Sequence, residues 1–233
     1  MSDFAAATNL MRAALKRAGA AQNGHGETQP QAVATPPAPT ASREEMSAHF
    51  VRELKELGGK AVVVDSPQAA IDAIVEFARV FEVKSAAIGE GARTDLQPLS
   101  EALGRNGVAV FSVAQAPEEK RAELRARVAS ADAGVVEADF GVAASGTLVF
   151  VPTPARPRSL SLVPPVNIVL LRTDYLLPNL AALMSALGVD AMRDNPVAFV
   201  TGPSRTADIE KRLVRGVHGP KTLYAVLVRS GRD

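Results

Sequence analysis

Short apolar runs alternate with helix-length stretches between residues 43 and 128, and this rhythm restricts the chain to one broad architecture. Residues 61–64, 85–88 and 108–113 are apolar and mostly β-branched or small, so they read as buried strands. Helical segments are predicted over 43–57, 67–79, 95–103 and 117–128. Ser42, with Glu45 three residues on, predicts a capping box for the first helix, and Gly58 and Gly59 stop it. Ser66 and Pro67 open the second, and Gly104 closes the third. Repeated strand–helix units of this length predict an α/β fold, an open and mostly parallel sheet with helices on both faces.

The rhythm changes after Ala133. Residues 134–144 lead into Ser145, Gly146 and Thr147, and 148–151 and 166–171 read as further strands. Few helical residues separate them, so this part is expected to be antiparallel or strand–turn–strand. A helix is predicted within 174–187, beginning near Pro178. Residues 197–201 and 223–228 are the last strands.

The beginning of the chain has a different character. Residues 1–19 read as an amphipathic helix with Phe4, Met11, Leu15 and Ala18 on one face. Gly24, Gly26, Pro30, Pro36, Pro37 and Pro39 then mark residues 20–42 as a flexible linker, and the compact domain is expected over 43–233.

Composition excludes several function classes. The net charge of +1 offers no basic excess for nucleic acid. The chain has no cysteine, so disulfides, thiolate catalysis and a cluster held by its own cysteines are excluded, and a reducing cytoplasm is the expected location. No apolar run reaches the ~18 residues of a membrane span. His25 falls in the linker and His49 on the first domain helix, so no metal site is expected among the three histidines.

The candidate site comes from polar residues crowded into turns. Gly202 and Pro203 end the strand at 197–201, and Ser204, Arg205, Thr206 and Asp208 follow where a strand would feed a helix. Ligands in open α/β sheets sit outside the carboxyl ends of strands, and free amides at a helix start attract anions. Arg205 offers a bidentate grip on carboxylate or phosphate. The plainer alternative is turn chemistry, with Ser204 or Thr206 capping a helix and Asp208 and Glu210 complementing its dipole. His218 lies in a loop between Gly216 and Gly219 rather than on an apolar face. The turn at Ser145, Gly146 and Thr147 is either a simple hairpin or a place where backbone amides meet a ligand. Arg156 and Arg158 are basic residues in a mostly apolar stretch, explained by surface exposure or by an anion site. The loop of Gly89, Glu90, Gly91, Ala92 and Arg93 matches neither the dinucleotide nor the P-loop pattern and is expected as a site edge. Ser145, Gly146, Thr147, Arg158, Gly202, Ser204, Arg205, Thr206, Asp208 and His218 are therefore expected around one anion-binding cleft.

Three of these segments, residues 144–147, 158–164 and 202–210 with 216–220, resemble in order and spacing the LUD domain family, the lactate utilisation C proteins. The resemblance covers roughly residues 44–230. It implies a fold of the NagB/RpiA/CoA-transferase type. It also implies a role in oxidising lactate to pyruvate beside partner subunits, one of which carries iron–sulfur clusters, with no cofactor in this chain itself. The sequence departs from the family pattern at Ala144, where members usually carry Glu, and at Asn167, where they often carry His. Neither residue exchanges a proton near neutral pH. A second reading is an independent enzyme of the CoA-transferase or sugar-phosphate isomerase type. It needs a carboxylate in the pocket, for which Glu137, Asp139 and Asp208 are the candidates.

Overall fold

The capping box predicted at Ser42 opens the first helix of the domain. In the computed structural model, which describes residues 41–113, 120–194, 196–207, 213–215 and 219–229, Glu45 N donates to Ser42 Oγ at 3.1 Å and Ser42 N donates to Glu45 Oε2 at 2.7 Å. The expected helix over 1–19 and linker up to residue 40 lie outside the described residues. Helix α1 (Arg43–Glu56) follows, and Gly58, at φ 85°, takes the chain out of it.

Six strands joined by five crossovers, the first three of them helical, then build a sheet. Its strands are β1 (Lys60–Val64), β2 (Ser85–Ile88), β3 (Ala109–Ser112), β4 (Ala133–Glu137), β7 (Val166–Arg172) and β12 (Thr222–Val228), in the order β1-β12-β7-β4-β2-β3. Every pairing is parallel. Helix α2 (Pro67–Val80) has Ser66 as its N-cap and Pro67 in its first turn. Helix α3 (Gln97–Arg105) runs through Gly104 rather than stopping there; Gly107, at φ 83°, makes the exit. Helix α4 (Arg121–Ser130) precedes β4.

The sheet buries both faces. Ile74 and Phe77 of α2 and Leu99 and Leu103 of α3 pack with Ala86, Ile88, Val135, Ile168 and Val226 on one side. Phe50 and Leu54 of α1 pack with Val169, Leu171, Ala225 and Leu227 on the other. Apolar runs without alternation are what a parallel sheet covered on both faces requires. Each fully buried Leu or Phe contributes about 1.5–3 kcal/mol relative to exposure.

Three expectations are corrected here. β7 is a central parallel strand, not part of an antiparallel unit. The chain between β4 and β7 crosses over through β5 (Phe140–Val142), β6 (Thr147–Phe150) and the short helix α5 (Ser159–Leu162), which cover the sheet where a long helix would otherwise lie. Gly134 makes this cover close, since a Cβ there would lie 2.0 Å from Leu160 O. The strand β9 (Ala198–Val200) belongs to a second sheet, ordered β8-β5-β6-β9 with β8 (Leu176–Leu177), in which β9 pairs antiparallel with β6. Helix α6 (Leu180–Asp194) packs Leu183 on Val142 and Val149 of that sheet. After Ser204 the backbone forms an antiparallel hairpin of β10 (Arg205–Ala207) and β11 (Leu213–Arg215), not the helix that a parallel-sheet strand would feed.

Candidate functional site

The carboxyl ends of the parallel strands form one edge of the sheet, and a charged network is built there. Glu137 is the last residue of β4 and is 1% exposed. Its Oε2 accepts from Arg93 N at 2.8 Å and Thr94 N at 2.9 Å, and its Oε1 accepts from Thr94 Oγ1 at 2.9 Å. The loop after β2 is thereby folded over the end of β4. Gly91 permits that turn, because a Cβ would lie 1.9 Å from Thr94 O and 3.0 Å from Glu137 Oε2. Asp139 is buried two residues on. Its Oδ2 accepts from Val151 N at 2.7 Å and its Oδ1 from Arg156 Nη2 at 3.0 Å. Arg156 is buried as well and also donates to Val151 O at 3.1 Å. The counterion is in place as such burial demands, although Arg156 Nη1 is buried with no hydrogen-bond partner among the described residues.

Arg93 is the cation this network leaves at the surface. Its Nη1 donates to the Asp139 carbonyl at 3.0 Å, and its guanidinium lies 3.6 Å from the Tyr175 ring centroid and 5.5 Å from that of Phe140. No carboxylate among the described residues pairs with it. Its neighbours are engaged: Arg172 donates to Asp174 at 3.2 Å, and Arg229 to Asp65 at 2.7 Å. These three arginines line a crevice of about 810 Å³. Pro67, Gln68 and Ile71 of α2 and Pro98 and Leu99 of α3 form its walls, with Leu96, Leu170 and Val228 beneath. A second cavity of about 400 Å³ lies across the Thr94, Asp95 and Leu96 segment, lined by Gly89, Glu90, Ser100 and Ser112. The crevice lies where open α/β sheets bind ligands. No group of His, Cys, Asp and Glu able to hold a metal ion occurs among the described residues, and no helix there is long and apolar enough to cross a membrane.

The turn residues singled out in the sequence lie at the opposite, amino end of the sheet. Ser145 Oγ is 2.7 Å from Thr147 Oγ1, which is 2.8 Å from Thr201 Oγ1. The two turns therefore meet, through the pairing of β6 with β9. Gly146, at φ 59°, presses its bare Cα on the end of α1, where a Cβ would be 2.6 Å from Leu54 N. Gly202, at φ 92°, packs on Leu57 of the same helix end. Ser204 N donates to Pro220 O at 2.9 Å, just before β12, and Gly219 sits against Ser204. Arg158 is exposed at the start of α5, its carbonyl accepting from Ser161 Oγ at 3.1 Å. Asn167 is fully buried at the start of β7, donating from Nδ2 to Ser161 O at 3.0 Å. Arg205 and Thr206 are backbone members of β10, and their side chains fall outside the description, as do Asp208 and His218 altogether. The expectation that the 202–206 turn lies at strand carboxyl ends is thus corrected, since β9 is not a strand of the parallel sheet. Ala144, at a position where Glu was the family expectation, is exposed. Arg93 and Glu137, 44 residues apart, were linked by no local pattern. The glycine loop after β2 was the sequence signal for Arg93, and Glu137 stood out only as a candidate carboxylate.

A family model described as the LUD domain matches residues 47–228. The chain is 40% identical over 116 residues to a lactate utilization protein C of an Exiguobacterium species, covering 48% of this chain and 49% of that one. It therefore spans about half the length of that relative. It is 31% identical over 173 residues to a lactate utilization protein C of Halalkalibacterium halodurans, covering 72% of each. Among solved structures, a DUF162 family protein from Deinococcus radiodurans superposes with a TM-score of 0.55 at 18% identity, over 81% of this chain and 99% of that one, a likeness of fold.

Proposed function

The chain belongs to the LUD domain family, and from that premise we propose that it serves lactate utilisation as a subunit that binds a small organic anion and holds no redox centre of its own. The relatives' printed names support the lactate role. The observation that carries the binding role is Arg93, a guanidinium stacked on Tyr175 at the wall of the carboxyl-end crevice without a carboxylate partner among the described residues. A planar donor held in place by stacking loses little freedom when it grips a carboxylate. The anion grip is therefore assigned to Arg93 rather than to Arg158 and Arg205.

The chemistry divides between this chain and a partner. Oxidising lactate removes two electrons, which need an acceptor. With no cysteine, this chain cannot hold an iron–sulfur cluster on thiolates, so the acceptor is assigned to an iron–sulfur subunit beside it, in the cytoplasm. The reading of an independent transferase or isomerase finds less support. Glu137 and Asp139, the described carboxylates it requires, are both occupied by internal donors.

Two measurements test the proposal. In calorimetric titration with lactate and pyruvate, Arg93→Gln weakens binding by about ten- to a hundredfold, since a charged hydrogen bond contributes about 1.5–3 kcal/mol. With lactate and an artificial electron acceptor, the isolated chain is inactive and the partner subunits restore turnover. Unchanged affinity in Arg93→Gln removes Arg93 from the site, and turnover by the isolated chain overturns the division of labour.

A further inference from the structure

The crevice is much larger than a three-carbon acid. At about 810 Å³ it falls in the range of cavities that enclose drug-sized ligands, and lactate would leave most of it to water. Its chemistry is also divided. Arg93, Arg172 and Arg229, with Asp95 and Asp174, bring charge to one part, whereas Leu96, Leu99, Leu170 and Val228, core side chains each no more than 9% exposed, line the rest. Half-buried Ile71 of α2 extends that apolar floor. A polar or fully hydrated ligand gains nothing from such a floor, while an alkyl group displaces water from it.

We infer that the carboxyl-end crevice takes a carboxylate with an apolar body longer than that of lactate, its head on Arg93 and its alkyl chain across Ile71, Leu99, Leu170 and Val228. This rests on the proposed anion site and adds the class of its ligand.

The test is a series of straight-chain carboxylates, propanoate to octanoate, titrated calorimetrically into the full chain. Each methylene that reaches the floor strengthens binding by about fourfold, as burial of a CH₂ group does. Arg93→Gln weakens every member by a similar factor, and the matching alkylammonium ions do not bind. Ile71→Ser lowers the gain per methylene, so octanoate loses more affinity than propanoate. Should that variant fail to fold, methyl NOEs from octanoate to Leu170 and Val228 in the unaltered chain decide the same point. A flat series in which propanoate still depends on Arg93 overturns this inference and leaves the proposed function standing. Failure of every carboxylate to bind overturns both.

Discussion

Asp139 and Arg156 illustrate how single side chains hold the site. Both are nearly buried, and the 3.0 Å pair between them is completed by Val151, which donates its N–H to one partner and offers its carbonyl to the other. Removing one partner of a buried pair leaves the other charge uncompensated. Asp139→Ala is therefore expected to lower stability by about 3–5 kcal/mol in urea unfolding. A replacement of both residues by apolar groups is expected to cost far less, and a double loss equal to the sum of the two single losses would show that the pair is not coupled. None of this was legible locally. The carboxylates of Glu137 and Asp139 were visible in the sequence, but their partners depend on parallel register and on loops that return over the strand ends. The polar turns at 145–147 and 202–204 were visible too. Gly146 and Gly202 both adopt positive φ and press on α1, so the conformational signal read from them was real. What it marked was a close approach of backbone to helix.

Glycines at the level of elements make opposite predictions according to what surrounds them. Gly134 on β4 supports the short helix α5, and a Cβ there would lie 2.0 Å from the backbone oxygen of Leu160. Backbone cannot yield as a flexible side chain can, so Gly134→Ala is expected to cost about 1–3 kcal/mol by overpacking. Gly104 lies inside α3 with nothing within 4 Å of such a Cβ. Gly104→Ala is expected to stabilise by about 0.4–1 kcal/mol, through the lower entropy of the unfolded chain. Thermal melts of the two variants should move in opposite directions, and a shared direction would refute the packing account. Element existence was readable where caps and periodicity agree, as at Ser42, Ser66 and the strands β1 to β3. Placement failed for β7 and β9. β5 and β6 form the antiparallel strand–turn–strand unit expected there, but a crossover made of that hairpin and a four-residue helix carries no helical periodicity, so β7 was read with it rather than with the parallel sheet.

The stability of the whole molecule is expected to fall at both ends of the pH scale, for separable reasons. Asp132 ties the start of β4 to the start of β2. Burial alone would raise its pKa, but the Ser85 hydroxyl and the Lys84 and Ser85 amides, at 2.8–3.0 Å, reverse that and hold it below the ordinary value. Glu45 is lowered too, first by the Ser42 backbone N–H and then by its hydroxyl, and Glu76 by its bond to Arg79. A carboxylate with a depressed folded pKa contributes stability that is present above its unfolded pKa of about 4 and lost as pH falls through the folded one. Glu45 and Glu76 are exposed, so their contributions are small, and the part-buried Asp132 is the main one of the three. Tyr224 acts at the other end. Burial raises its pKa, so its contribution is present below the unfolded value of about 10 and lost as pH rises past it. Its ring stacks on Phe77 at 4.0 Å with 5° between planes, a contact that phenylalanine reproduces. Urea midpoints measured from pH 3 to 11 should therefore trace a dome. Asp132→Asn is expected to flatten the acid limb and leave the alkaline limb unchanged, and Tyr224→Phe to do the reverse. If Tyr224→Phe leaves the alkaline limb as steep as before, the loss arises elsewhere, and desolvation of this phenol is not what limits the fold at high pH.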